Sequence, residues 1–237
     1  YYELVAYLKH LFIQYNAQVE DGTLLLLSTQ KWGWLDLIKC AYDNPGYDRI
    51  IIITYNYDVF LERILMLHHL NFCVKGVDST ENKIVIHKPH GSISFAHEKK
   101  NESELFTIRK TKDMYEASLS NFSVKYTDLH ENYLINALIP PAGDSSRLTY
   151  KWANEIRTLL NEQIEQIGAG DKVIISGLSY WHVDRKEIDE LLVKLSTKKV
   201  DTYLVNPKPT RALNAVLTCV LPNHVTYTSS DLLKGVS

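Results

Sequence analysis

The sequence predicts an α/β protein in which helices flank a parallel β-sheet. Three observations lead to this class. Residues 50–53 are four consecutive isoleucines, a run too short for a buried helix and typical of a strand covered on both faces. A helical pattern follows this strand directly, which gives a strand–turn–helix unit. In the last third of the chain, short apolar runs alternate with helical segments, as they do in βαβ units.

Two helices are predicted before the first strand. Residues 1–16 place apolar side chains at helical spacing, and Asp21-Gly22 is expected to end that segment. The second helix is predicted around residues 34–42, before the turn Asp43-Asn44-Pro45-Gly46. The helix after the first strand is predicted over residues 58–70.

The second strand is predicted at residues 83–87, and it leads into Lys88-Pro89-His90-Gly91-Ser92. Between about 95 and 140 the pattern weakens, and we interpret this stretch as an inserted, partly helical region, followed by a helix over 150–167. The remaining predicted elements are strands at 172–176, 201–205 and 224–228 and helices at 185–194 and 210–220. Together these elements predict a Rossmann-like parallel sheet with an insertion, in a single domain spanning residues 1–237.

Composition and charge disfavour several classes of protein. The 26 Lys and Arg residues nearly balance the 28 Asp and Glu residues, whereas a dedicated nucleic-acid binder usually carries a basic excess. The longest apolar runs, residues 24–27 and 50–53, are far shorter than the ~20 residues of a membrane span. The three cysteines, Cys40, Cys73 and Cys219, form no CxxC pair and are too scattered for a zinc ribbon. We therefore expect a cytoplasmic protein that binds neither nucleic acid nor membrane.

Polar or small residues follow the predicted strands. In an open α/β sheet, ligands bind beyond the carboxyl ends of the strands, so these residues are the candidates for a site. They are Thr54, Asn56 and Asp58 after the first strand, His90 after the second, and Gly177, Ser179 and Asn206 after later strands. We expect these residues to converge on one cleft. Each also has a structural alternative: Asp58 as a helix N-cap, and Gly177 and His90 as turn residues.

The order of these motifs resembles that of the SIR2-like domain family. The matching segments are Thr54-Tyr55-Asn56-Tyr57-Asp58, Lys88-Pro89-His90-Gly91-Ser92, Pro140-Pro141, Ser176-Gly177-Leu178-Ser179 with Asp184, and Val205-Asn206-Pro207. The members of this family are sirtuin-fold proteins, many of them bacterial, that hydrolyse NAD in antiphage defence. The resemblance extends from about residue 50 to residue 228, and it implies NAD as the substrate.

The resemblance also implies a role for each candidate residue. His90 would deprotonate a ribose hydroxyl or the attacking water, since an imidazole accepts a proton at neutral pH. Asn56 would bind the ribose hydroxyls or a water, and Asp58 would orient Asn56 or counter the developing positive charge. The dinucleotide-binding residues would be Thr54, Gly177, Ser179 and Asn206, with Ser179 on phosphate or ribose and Asn206 on the adenosine ribose.

The sequence departs from the sirtuin pattern in two ways. Protein-deacylating sirtuins carry a four-cysteine zinc module after the His-Gly motif, but no cysteine lies between His90 and Cys219, so we expect no zinc. The family also opens with a strand and a GAGxS phosphate loop, which no segment before residue 50 supplies. Gly168-Ala-Gly170 is predicted to end a helix and precede a strand, which is the opposite of a phosphate loop. We therefore expect the GAGxS loop upstream of Tyr1.

Three functions remain open from the sequence. The leading prediction is a zinc-free NAD hydrolase acting as an antiphage-defence effector. The first alternative is a zinc-free deacylase or ADP-ribosyltransferase, and the second is a catalytically degenerate nucleotide-sensing or scaffold domain. Because an unregulated NAD hydrolase would be toxic to its own cell, we expect some form of gating, in a homo-oligomer or a larger multidomain protein.

Overall fold

The computed structural model describes residues 2–101, 115–140, 150–177, 185–198, 200–208, 210–221 and 223–235. These residues form two compact units. The first unit contains the described residues of 2–30, 41–140 and 150–160, and the second unit contains those of 31–40 and 161–235. The single domain predicted over residues 1–237 stays a prediction.

Helices and parallel strands alternate along the chain, so the predicted α/β class is confirmed. The helices are α1 Tyr2–Gln18, α2 Asp21–Lys31, α3 Gly33–Asp43, α4 Phe60–Leu67, α5 Lys151–Glu165, α6 Arg185–Ser196 and α7 Arg211–Val220. The strands are β1 Ile50–Ile53, β2 Phe72–Val74, β3 Ile84–His87, β4 Phe95–His97, β5 Phe122–Val124, β6 Lys172–Ser176, β7 Asp201–Val205 and β8 His224–Tyr227.

The first unit contains a three-stranded parallel sheet in the order β1-β3-β2. Strand β3 lies in the middle, and all four of its residues are buried. The expectation that residues 50–53 are covered on both faces is wrong, because the four isoleucines of β1 are only half-buried. Strand β1 lies at an edge of this sheet, where β3 is its single neighbour among the described strands.

The second unit contains another three-stranded parallel sheet, in the order β6-β7-β8. Helices α6 and α7 pack with strand β7 into an apolar core, whose most deeply buried side chains are Leu192, Leu195, Leu204, Leu213 and Leu217. Helix α7 begins after Thr210, whose hydroxyl oxygen accepts a hydrogen bond of 3.2 Å from the backbone N–H of Leu213. The cap supplies a partner for one of the N–H groups that every helix leaves unpaired at its start.

The predicted insertion supplies core side chains to the first unit. Strands β4 and β5 pair in antiparallel register, with Phe95 opposite Val124, and a 3₁₀ turn precedes β5 at Leu119–Asn121. Phe122 packs edge-on against Trp152 of α5, with ring centroids 6.3 Å apart. Residues 102–114 of the insertion lie outside the described residues. The described part is therefore a packed component of the unit.

Helix α2 is one of four elements that the sequence interpretation missed. The others are strand β2 and strands β4 and β5, which lie in the insertion that was expected to be partly helical. Asp21-Gly22 was expected to end a helical segment, but Asp21 begins a new one, and the Glu20 carbonyl accepts N–H bonds from Thr23 and Leu24. The leucine run that follows has no helical periodicity. Leu24 is buried, while Leu25, Leu26 and Leu27 are 41–54% exposed. An apolar run without a polar face gives no amphipathic pattern, so the usual helical signal was absent.

None of the described helices has the length and apolar character that crossing a bilayer requires. Within the same residues, no group of three or more His, Cys, Asp or Glu side chains is placed to hold a metal ion. The three cysteines are free thiols, with Cys73 buried and the other two exposed. The expectation of a zinc-free protein stays a prediction.

Truncating Phe122 tests whether the insertion is part of the core. Phe122→Ala removes a buried aromatic ring and leaves a cavity, so the free energy of unfolding should fall by about 3–5 kcal/mol. Ser123→Ala is the matched control, because Ser123 lies on the same strand but is exposed, and its effect should stay within about 0.5 kcal/mol. Urea unfolding measures both. Equal stability of the two variants would show that the insertion packs loosely.

Candidate functional site

The two segments that carry Asn56 and His90 begin side by side. Strands β1 and β3 are paired so that Ile53 lies opposite His87, and their carboxyl ends are level. The backbone N–H of Thr54 extends this pairing by donating to the His87 carbonyl over 3.0 Å. The structure therefore brings together the two motifs of the first unit that the sequence predicted to share a sheet edge.

His90 is held in an aromatic environment. Its side chain is 4% exposed. The ring of Tyr55 meets it edge-on at a centroid distance of 4.9 Å, and the ring of Tyr57 stacks on it at 6.4 Å. The hydroxyl of Tyr57 donates to the carbonyl of Ile139 over 2.5 Å, which anchors this ring in the core. Tyr55 and Tyr57 flank Asn56 in the sequence, so the Asn56 segment itself forms two sides of the histidine environment.

The backbone around His90 is fixed by close contact with residues 137–139. The His90 carbonyl accepts from the N–H of Ile139 over 2.9 Å, and the N–H of Ser92 donates to the Ala137 carbonyl over 3.1 Å. Between them, Gly91 has a φ of +79°, and a Cβ at this position would lie 1.8 Å from the Ala137 carbonyl oxygen. Both the conformation and the contact require glycine.

The three candidates after β1 have different surroundings. Asn56 is exposed, and its backbone N–H donates to Thr54 Oγ1 over 3.3 Å. Asp58 is half-buried, and its Oδ1 accepts from the N–H of Phe60, the first residue of α4, over 3.1 Å. Asp58 therefore lies one residue before the N-cap residue, Val59, and its carboxylate pairs one N–H group at the start of α4. Its predicted role beside Asn56 stays a prediction.

A buried ion pair next to His90 was missed by the sequence interpretation. Lys88 Nζ lies 2.6 Å from Glu62 Oε1 and donates to the Asp58 carbonyl over 2.6 Å, and both charged side chains are 0% exposed. Glu62 sits four residues after Asp58 in α4, whose other residues apart from Arg63 are apolar, and Lys88 directly follows an apolar strand. A charge in an apolar context was the available signal, but its partner was too distant in sequence to identify.

His87 is a second buried histidine near this edge of the sheet. It is 1% exposed, and its Nε2 has no hydrogen-bond partner among the described residues. Burial, and to a lesser degree the positive charge of Lys75, lowers the pKa of His87 to about 4. His87 is therefore neutral in the folded protein across the physiological range.

In the second unit, two of the predicted residues follow β6 and β7 as expected. Gly177 has a φ of +65°, and its N–H donates to the Val205 carbonyl over 3.3 Å. Among the described residues, no heavy atom lies within 4 Å of the position that a Cβ would take at Gly177. Asn206 Oδ1 accepts from the N–H of Lys208 over 3.1 Å. Ser179 lies outside the described residues, and the convergence of these residues with His90 stays a prediction.

Gly168-Ala-Gly170 lies between α5 and β6, as predicted for a helix end and linker. The N–H of Gly168 donates to Asp171 Oδ2 over 2.9 Å, and the N–H of Asp171 returns a bond of 3.1 Å to the Gly168 carbonyl. This local turn precedes a strand, whereas a phosphate loop opens a helix. The turn therefore does not have the placement of a dinucleotide phosphate loop.

No protein-family model matches the sequence, and no curated protein matches it. The fold that the structure shows is an α/β arrangement of parallel sheets and flanking helices, compatible with a Rossmann-like fold. The resemblance to SIR2-like domains stays a prediction that rests on the motifs in the sequence.

Replacing Gly91 tests the contact between the His90 loop and residue 137. Gly91→Ala should destabilise the protein by about 1–3 kcal/mol for the left-handed backbone, with a further loss from the clash at 1.8 Å. Gly22→Ala is the control, since a Cβ at Gly22 in α2 meets no atom within 4 Å, and it should be neutral or slightly stabilising. Thermal unfolding of both variants measures the difference, and an equally stable Gly91→Ala protein would contradict the described contact.

Burial of His87 predicts a loss of stability in acid. The unfolded chain takes up a proton on this ring near pH ~6.5, but the folded protein does so only near pH 4. The free energy of unfolding should therefore fall by up to about 3 kcal/mol between pH 7 and pH 4 from this group. His87→Gln removes the titrating ring, so urea unfolding of this variant should show a correspondingly shallower pH dependence. The same slope in both proteins would show that His87 is not buried as described.

Proposed function

We propose that this chain is a SIR2-like domain that hydrolyses NAD to nicotinamide and ADP-ribose. One observation carries the proposal: the segments bearing Asn56 and His90 leave adjacent parallel strands at the same level, and Tyr55, the neighbour of Asn56, contacts the His90 ring at 4.9 Å. The carboxyl edge of a parallel sheet is where α/β proteins bind ligands. In the hydrolysis of an N-glycosidic bond, an imidazole at this edge can accept the proton and an amide can hold the ribose or the water.

The proposed reaction needs one base and one group that holds the ribose. Water attacks C1′ of the nicotinamide ribose, the C1′–N bond breaks, and nicotinamide leaves as a neutral molecule with the bonding electron pair. His90 accepts the proton released by the attacking water, directly or through a ribose hydroxyl. Asn56 binds the ribose hydroxyls or the water with its amide. Asp58 orients Asn56 or counters the positive charge that develops on the ribose.

The remaining assignments follow from the resemblance. Thr54, Gly177, Ser179 and Asn206 are proposed to bind the rest of the dinucleotide, Ser179 through phosphate or ribose and Asn206 through the adenosine ribose. The φ of +65° at Gly177 supports its part, because glycine adopts this conformation without strain and leaves no side chain between the backbone and a ligand. The reaction uses no zinc in this proposal. The effector would act in the cytoplasm, in antiphage defence, as a homo-oligomer or within a larger protein that gates it.

A second function is favoured by one observation. The 4% exposure of His90 leaves little of its ring accessible to a reactant, as expected if the domain binds a nucleotide without cleaving it. A nucleotide-sensing or scaffold domain is therefore the alternative. A zinc-free deacylase or ADP-ribosyltransferase would use the same histidine on another acceptor, and it is separated from the hydrolase by adding an acylated peptide to the assay.

Replacing His90 tests the proposed base. In the full-length protein, His90→Ala should lower the rate of nicotinamide release from NAD by about 10²–10⁴-fold, while NAD affinity measured by calorimetry changes little. His130→Ala is the matched control, because His130 is an exposed histidine of the same unit, and it should keep the wild-type rate. Full activity of His90→Ala would remove the proposed catalytic role. Binding without cleavage by the wild-type protein, with or without peptide, would favour the sensing function.

Replacing Asn56 and Ser179 separates turnover from binding. Asn56→Ala should depress the turnover number, because Asn56 is proposed to hold the reacting ribose or water. Ser179→Ala should mainly raise the dissociation constant for NAD, through the loss of one hydrogen bond of about 1 kcal/mol. Steady-state kinetics and calorimetry on the full-length protein measure the two effects, and the reverse pattern would contradict the assigned roles.

A further inference from the structure

We propose that the buried pair formed by Lys88 and Glu62 is a positioning device that holds the His90 loop in register with the Asn56 segment. This inference rests on the proposed function, in which His90 and Asn56 act on the same ribose. Neither Lys88 nor Glu62 is proposed to touch the substrate. Both act through the backbone segments that they connect.

The geometry connects three pieces of the candidate site. Lys88 immediately follows β3 and lies two residues before His90. Its Nζ donates to the carbonyl of Asp58, at the end of the Asn56 segment, and to Glu62 Oε1 in the first turn of α4, both over 2.6 Å. One ammonium group therefore fixes the distance between the histidine loop, the Asn56 segment and the helix that follows it.

Other contacts reinforce the same register. The carbonyl of Tyr57 accepts from the N–H of Ile93 over 3.0 Å and from the hydroxyl of Ser92 over 3.3 Å. These bonds lie on the far side of His90 from Lys88 along the chain. The backbone is therefore held to the Asn56 segment both before His90, through Lys88, and after it, through Ser92 and Ile93.

The buried pair of Lys88 and Glu62 is not an efficient way to stabilise the fold. Removing two charges from water costs free energy that is recovered only when every polar atom is well paired. Glu62 Oε2 is buried without a hydrogen-bond partner among the described residues, and so is the hydroxyl of Tyr126. Burial raises the pKa of the Tyr126 hydroxyl, and the negative charges of Glu62 and Asp78 raise it further. An apolar pair would fill the same space without these costs, so the pair is better explained by the position it imposes.

The test replaces both charges at once in the full-length protein. Lys88→Met alone would leave Glu62 charged and unpaired in the core, so the informative variant is Lys88→Met with Glu62→Leu. The matched control is Lys198→Met with Glu165→Leu, which removes a more exposed pair of 2.9 Å in the second unit. Thermal unfolding gives the unfolding temperature, and steady-state kinetics give kcat and KM for NAD cleavage. NMR of ¹³Cε1-labelled histidines reports on the surroundings of each ring. The His90 signal is assigned by its loss in His90→Ala.

The proposal predicts that the double variant at residues 62 and 88 unfolds at or above the wild-type temperature, while kcat falls about 10²-fold and KM changes little. The His90 signal should shift or broaden, and the signal of exposed His130 should not. The control pair should change neither kcat nor the His90 signal. If kcat is unchanged, or falls only in proportion to a loss of folded protein, the proposal is overturned.

The histidine spectrum separates this proposal from the proposed function. If the wild-type protein binds but does not cleave NAD, hydrolysis is rejected, and a displaced His90 signal in the double variant still supports the positioning role. If the His90 signal is unchanged in the double variant, Lys88 and Glu62 do not position the loop, whatever the activity of the wild-type protein.

Discussion

The candidate site depends on the parallel pairing of β1 with β3. Because Ile53 lies opposite His87, the two strands end at the same level, and the Thr54 N–H continues the ladder by bonding to the His87 carbonyl. A shift of one residue in this register would turn every side chain of the shifted strand to the other face of the sheet. It would also separate the Asn56 segment from the His90 loop. The geometry around His90 is therefore set first by backbone hydrogen bonds and only then by side chains.

The chain leaving β3 carries an unusual run of buried polar groups. His87, Lys88, His90, Ser92 and Ser94 are each at most 4% exposed. Polar groups are costly to bury unless they are hydrogen-bonded, and Lys88 is an ionic group whose buried partner is Glu62. A segment that only connected two strands would be expected to keep such residues at the surface. The concentration of buried polar groups beside the Asn56 segment is what distinguishes this edge of the sheet as the candidate site.

Much of the fold could be predicted from the sequence, because its elements have strong local signals. The isoleucines of β1, the apolar run of β3 and the alternating pattern that gives β6, α6, β7 and α7 are all visible within short windows. Helix α2 was missed because its four consecutive leucines show no helical periodicity. The half-buried state of β1 was missed because the position of a strand within a sheet depends on pairings between distant residues.

The same distinction applies to the site. Asn56 and His90 could be identified because each follows an apolar strand, and the rule that ligands bind at strand ends is local. The enclosure of His90 by Tyr55 and Tyr57 could not be identified, since it depends on how two loops pack. The pairing of Lys88 with Glu62 spans 26 residues, and no pattern in the sequence joins them. Sequence reasoning thus identified the groups proposed to react, and the structure identified the groups that hold them.

A crystal structure of the full-length His90→Ala protein with NAD tests the proposed site most directly, since this variant is expected to bind the dinucleotide without consuming it. We expect the nicotinamide ribose to lie at the carboxyl ends of β1 and β3. A ribose hydroxyl or a bound water should lie about 3 Å from the Asn56 amide and face the space left by the imidazole. A complex in which NAD contacts neither the Asn56 segment nor the loop at residues 88–92 would contradict the proposed site.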